Sequence, residues 1–188
     1  MKGFVITGFL EFIDKNFDEA IVNDLLDSRE IPVGGVYSPM LDYPDNTLAE
    51  MIEGTAELLN MTDRKLSMIA GINLFAELLA VNPLWVEQAG NTFELLKSHD
   101  EVLNNFVEKA FPGFVAPSFG CVEINSDKFQ INYKSVFLPA DVAEGLITAA
   151  ALHFNESYFV ESIKYDPPVD YNRQFVLRRK PKESEETA

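Results

Sequence analysis

The chain has 188 residues, enough for one domain with a sizeable core; 47% are hydrophobic, with fifteen phenylalanines against one tryptophan. A formal net charge of −15 argues against nucleic acid or an anionic membrane surface as the principal partner. With one cysteine, Cys121, and two histidines, His99 and His153, an internal disulfide, a four-cysteine metal site and a histidine-rich metal centre are excluded.

At the start, Glu11, Asp14 and Lys15 interrupt a short apolar run, which is not the layout of a signal peptide. No later stretch is long and apolar enough to span a bilayer, and a cytoplasmic, reduced protein is expected. Phe4, Val5, Phe9, Phe12 and Ile13 predict an amphipathic helix over Phe4 to Phe17. Asn16 with Glu19 has the form of a capping box that opens a second helix through Ala20, Ile21, Leu25 and Leu26. Gly34-Gly35 and Tyr43-Pro44-Asp45 punctuate a turn-rich stretch. Thr47 with Glu50 repeats the capping pattern before a helix to about Leu59, and Thr62 caps a third, very apolar helix. Gly71 inside that helix implies a close contact at its turn, and Asn82-Pro83 ends the run.

A single long helix is predicted over about Thr92 to Phe111, with Leu96, Leu103, Val107 and Ala110 in one stripe and Pro112-Gly113 as the stop. Beyond Pro112 the apolar period changes from helical to alternating. Ser118 to Ile124 reads as a strand and Asn125-Ser126-Asp127 as its turn. The next strand alternates, with Phe129, Ile131, Tyr133, Ser135 and Phe137 on one face. Pro139 opens a helix carrying Val142, Leu146, Ala149, Ala150 and His153. Tyr158 to Tyr165 and Tyr171 to Leu177 close the sheet around an Asp166-Pro167-Pro168 turn, and the tail 181–188 lacks apolar residues and is expected to be disordered. The expected architecture is α+β: a helical lobe over about 1–62, then the remainder to 180 with the long helix and a four-stranded antiparallel sheet.

The residues Met1-Lys2-Gly3, Leu10-Glu11-Phe12, Gly35-Val36-Tyr37 and Tyr43-Pro44-Asp45 form an ordered series. It continues with Val107-Glu108-Lys109-Ala110-Phe111-Pro112-Gly113, Tyr133-Lys134-Ser135 and Ala143-Glu144-Gly145-Leu146 running to His153-Phe154. In order and spacing this series resembles the heme-nitric oxide/oxygen binding (H-NOX) family, the sensor domain related to soluble guanylate cyclase. The resemblance implies a single H-NOX-like domain over 1–180. It also implies a proximal histidine on the long helix and a Tyr-x-Ser-x-Arg motif that holds the heme propionates. Here the proximal position falls on Asn104, and the motif reads Tyr133-Lys134-Ser135-Val136-Phe137. Tyr133 and Ser135 are retained; Phe137 replaces the arginine that would meet a carboxylate in bidentate fashion. An asparagine amide is a poor iron ligand beside imidazole.

These departures imply a bacterial sensory or regulatory domain that does not hold heme in the family's manner, so no cofactor is expected. Such a domain signals to a protein partner, typically a histidine kinase or a nucleotide or cyclic-dinucleotide enzyme. Aromatic side chains, Phe137 with one or more of Phe4, Val5, Phe9 and Phe75, are expected to fill the heme space. Two alternatives stand beside this: a gas sensor whose heme is ligated unusually, and a sensor of another apolar small molecule with Tyr133 and Ser135 at its polar end. No nucleophile, base and orienter set is present, so catalysis is not expected. Glu11, Glu50 and Glu144 are read as caps and solvated helix faces.

Overall fold

Residues 1–28, 37–164 and 171–180 are described in the structure, a computed structural model. The turns expected at Gly34-Gly35 and Asp166-Pro167-Pro168, the tail 181–188, and the side chains of Leu103, Asn104, Val107 and Ala110 lie outside the described residues. Helix α1 (Gly3–Asn16) buries Ile6, Phe9, Phe12 and Ile13, which follow the helical period. Helix α2 (Glu19–Ser28) follows, but not through the expected capping box. The Asn16 amide donates back to the Phe12 carbonyl at 2.8 Å, and the Asp18 carboxylate accepts from the Ala20 amide at 2.8 Å. Asp18 stands immediately ahead of the helix, where a short carboxylate reaches an open N–H and Asn16 does not.

Helix α3 (Thr47–Leu58) also starts differently from expectation. Thr47 is its first helical residue and is buried, so Asn46 takes the cap position and donates to the Glu50 carboxylate at 2.7 Å. Helix α4 (Asp63–Val81) begins as expected, with the Thr62 hydroxyl accepting from the Lys65 amide at 3.2 Å. A short helix α5 (Pro83–Ala89) then occupies a stretch the sequence had shown only as a stop. Pro83 supplies a preset first residue, and Gly90, at φ 72°, ends it. Helix α6 (Thr92–Ala110) is continuous, as its apolar stripe predicts.

Strands β1 (Ser118–Asn125) and β2 (Lys128–Lys134) form a hairpin, and helix α7 (Ala140–His153) separates them from β3 (Tyr158–Lys164) and β4 (Asn172–Arg179). The sheet order is β1-β2-β4-β3 with every pair antiparallel, so the α+β reading holds. Phe129, Ile131, Tyr133, Phe175 and Leu177 point to the buried face. On the other face Gln130 and Gln174 donate to Asn132 at 2.9 and 3.2 Å. The alternation stops at Lys134, however, and Ser135 and Phe137 do not extend the strand.

Two apolar clusters result. One lies beneath the sheet, among Phe75, Leu96, Phe119, Ile131, Leu146 and Phe175; the other gathers Ile6, Phe12, Met51, Leu66 and Phe137 among the first four helices. Helices α4 and α7 serve both. They meet through glycines: a Cβ on Gly71 would lie 2.0 Å from the Val142 carbonyl oxygen, and one on Gly145 would lie 2.2 Å from that of Met68. The close contact expected at Gly71 is therefore present, backbone against backbone. Among the described residues no single helix is long and apolar enough to cross a membrane.

Candidate functional site

The end of β2 and the turn into α7 carry three of the four candidate site residues. Tyr133 is 1% exposed, sits opposite Phe119 and Arg173 in the sheet, and meets the Phe119 ring edge-on at 5.1 Å. Its hydroxyl donates to the Leu138 carbonyl at 2.8 Å. Ser135 accepts from the amides of Phe137 and Leu138 at 3.2 and 2.9 Å, so one hydroxyl closes the turn. That closure is why Phe137 leaves the strand face. Its ring, 3% exposed, swings into the helical cluster, the opposite side of the core from Tyr133.

Phe137 lies 5.4 Å from the Phe114 ring, Phe114 lies 5.0 Å from Phe4, and Phe4 stacks on Phe111 at 4.1 Å. A row of four rings thus joins the turn after β2 to the start of α1 and the segment just past α6. Of the residues expected to fill space beside Phe137, Phe4 joins this row and Val5 and Phe9 belong to the same cluster. Phe75 does not; it belongs to the cluster beneath the sheet, 5.5 Å from the His153 ring. Truncating Ser135 to alanine leaves two amides of the turn without their acceptor and is expected to cost about 1–2 kcal/mol, read as a lower urea midpoint.

Asn104 is on α6, in the half of that helix nearer Phe111, and its side chain lies outside the described residues. His99, on the same helix, is 4% exposed and faces the sheet-side cluster. Its ring stands edge-on to Phe119 at 4.6 Å and 6.1 Å from Trp85. With Phe75, Val86, Leu96 and Leu146 it lines an apolar cavity of about 10 Å³, room for one water molecule. His99 Nδ1 lies 3.3 Å from the Asp100 carboxylate, which also accepts from the Phe119 amide at 2.8 Å. Partial burial would raise the Asp100 pKa, but the hydrogen bonds from His99 and the Phe119 amide outweigh it and hold the carboxyl below its usual 3.8. This tie between α6 and β1 is complete above that value and is lost as pH falls through the lowered one. His153 is exposed at the end of α7.

One buried cluster was missed. Arg173, 1% exposed, donates to Asp141 at 2.6 Å and Glu144 at 3.2 Å, and the half-exposed Arg64 binds the same two carboxylates from outside at 2.5 and 2.8 Å. Glu144 is therefore no solvated helix carboxylate; it joins α4, α7 and β4. The Glu144 hydrogen bond, helped by Asp141, raises the Arg64 pKa against partial burial and the repulsion of Arg173. Two sequence signals pointed here: Arg173 has the same strand parity as Phe175 and Leu177, and Asp141 and Glu144 are three apart on one helix face. Cys121 is partly buried and its thiol is pushed up to about 12, chiefly by that burial, which disfavours the thiolate form. Among the described residues no group of three or more histidine, cysteine, aspartate or glutamate side chains is placed to hold a metal ion.

The chain is similar in fold to solved H-NOX structures across its whole length. The Fe(II) unliganded A71G mutant of the H-NOX protein from K. algicida superposes with a TM-score of 0.85 at 20% identity, covering 97% of this chain and 98% of that one. The H-NOX protein from S. oneidensis in the Fe(II)NO state gives 0.77 at 19% identity, covering 96% and 100%. The IWP-051-bound H-NOX from Shewanella woodyi in the Fe(II)CO state gives 0.74 at 26% identity, covering 100% and 99%. No curated protein matches the chain. The Haem-NO-binding family model matches residues 2–162, and the chain belongs to that family.

Proposed function

We propose that this chain is a sensory H-NOX domain that does not hold heme in the family's manner and acts by passing a change of shape to a signalling partner, encoded separately or fused to it. The observation that carries the reading is the closed turn after β2. Tyr133 and Ser135, the retained members of the propionate motif, spend hydroxyl contacts on the backbone of residues 137 and 138. Phe137, at the position of the propionate-binding arginine, offers no charge and fills the interior with its ring. These residues do not fit a porphyrin dicarboxylate. On α6 the proximal position is Asn104, whose amide is a weak donor for iron.

The partner implied by the resemblance is a histidine kinase or an enzyme that makes or degrades a nucleotide or cyclic dinucleotide. The ring row from Phe137 to Phe111 offers a path by which a shift in the helical cluster reaches the end of α6. Two further readings have particular support. The iron-bearing H-NOX neighbours favour a gas sensor with unusual ligation. The IWP-051-bound relative favours a domain responsive to another small organic molecule.

The deciding measurement is a hemin titration of wild type and of the Asn104→His/Phe137→Arg double variant, followed in the Soret region. Wild type is expected to show only the absorbance of free and loosely associated hemin. The double variant is expected to take up heme and, once reduced, to show an iron–histidine band. Stoichiometric heme in freshly purified wild type overturns the proposal in favour of the gas sensor.

A further inference from the structure

The sheet has two outer edges, β1 and β3, and they are finished differently. On β1 the Phe119 amide is taken by the Asp100 carboxylate of α6 at 2.8 Å, and a bulge between Glu123 and Asn125 breaks the regular edge. Both features close an edge to further pairing. Strand β3, YFVESIK, has neither among the described residues. It contains no proline or glycine and pairs with β4 without a register shift. Phe159 and Ile163 stand half-exposed on its outer face, and Val160 is partly exposed on the other. We propose that this edge pairs with β3 of a second copy, antiparallel about a two-fold axis, so that two four-stranded sheets join into one of eight strands.

Charge selects the occupant. A net charge of −15 opposes self-association in general, but the sheet face turned away from the helices is the exception. Its charged positions are Lys128, Lys134, Arg178 and a single acid, Glu161. Glu161 binds Arg178 of its own sheet at 3.1 Å. Lys180, just past the end of β4, has its ammonium 5.0 Å from the Phe159 ring and no ion-pair partner among the described residues. Two copies therefore meet here where repulsion is least, each with one carboxylate to offer and one lysine to receive it.

Register sharpens the proposal. Side chains alternate between faces, so only every second register sets outer residues opposite outer residues. A pair centred on Glu161 would put two like charges face to face, which is destabilising. One centred on Ser162 would put Glu161 against the apolar Ile163. Centred on Val160, the pair sets that valine against its own copy on one face. On the other face it sets Glu161 opposite Phe159, beside the unpaired Lys180 of the second chain. Diagonal neighbours in such a pair stand about 7–8 Å apart, within reach of long side chains. A single strand pair buries less than the roughly 1,200 Å² of standard interfaces, so the dimer is weak and reversible.

The test is sedimentation velocity of the full chain over a hundredfold range of concentration. A monomer–dimer equilibrium is expected, with a dissociation constant between micromolar and millimolar. Val160→Lys, which places two ammonium groups across the axis, is expected to weaken dimerisation about tenfold or more. Glu161→Gln is expected to weaken it about fivefold and to reduce its dependence on salt. Val122→Lys, an exposed position on the opposite edge strand, is the control and should leave the equilibrium unchanged. Unshifted amide resonances of Phe175 and Leu177 show that each variant keeps its fold. In a mixture of nitrogen-labelled and carbon-labelled chains, intermolecular NOEs between Phe159 and Glu161 are expected. A chain that stays monomeric throughout leaves the edge to another protein's strand or to none, and overturns the proposal. A dimer that Val160→Lys leaves intact, or that Val122→Lys breaks, overturns it as well. None of these outcomes depends on whether the chain holds heme.

Discussion

Gly71→Ala is expected to lose most or all of the folded protein. The added Cβ would lie 2.0 Å from the Val142 carbonyl oxygen and 2.8 Å from the Leu146 amide nitrogen, and both belong to a helix backbone that has no rotamer to change. Relief requires α4 and α7 to separate, which opens both apolar clusters at once. A cost of about 3 kcal/mol or more is expected, against a usual domain stability of about 5–15 kcal/mol. Gly8→Ala is the control: it lies in the exposed part of α1, a Cβ there meets nothing within 4 Å, and the change is expected to stabilise by about 0.5–1 kcal/mol. Urea midpoints of the two variants should move in opposite directions. A Gly71→Ala variant as stable as wild type would mean that the two helices do not cross at this distance.

Arg173→Ala is expected to be nearly as damaging, at about 3–5 kcal/mol, because it removes the buried partner of Asp141 and Glu144 and leaves two carboxylates to Arg64 alone. The cost should come mostly from the charges left behind. Arg173→Met combined with Asp141→Asn and Glu144→Gln is therefore expected to recover much of the loss, although it contains more substitutions. Urea denaturation of the single and triple variants measures the difference. If the triple variant is the less stable of the two, the ion pairs themselves stabilise the fold more than their desolvation costs.

Much of this architecture was legible because its periods are clean. The alternation of Phe129, Ile131 and Tyr133 identified a half-buried strand, and the stripe along α6 identified one unbroken helix. The same rule failed two residues later, since Ser135 can satisfy backbone amides and so end a strand without any glycine or proline. Extending the period to Phe137 put its ring on the wrong side of the core. Helix α5 escaped notice because Pro83 was read as a stop, when proline serves equally as a first helical residue. Arg173 was passed over for a different reason: a charged side chain in a strand is usually solvated, and only partners on another element reveal that this one is not. At the candidate site, the identities of Tyr133, Ser135 and Phe137 were readable in the chain. What they touch was not, because those contacts depend on how one turn closes.

The strand order has a consequence for synthesis. The β1–β2 hairpin can form as soon as its residues leave the ribosome, but the other edge of β2 is reserved for β4, where Ile131 faces Phe175. Between them the chain must still produce α7 and β3. During that interval β2 presents unpaired N–H and C=O groups beside a half-covered apolar face, the form in which nascent sheets are prone to associate with one another. Strand β4 then pairs with both β2 and β3, so the sheet is completed in one late step. Chains halted before Asn172 lack the strand that joins β2 to β3, and they are expected to be unstable and open to proteolysis rather than to settle into a shorter fold.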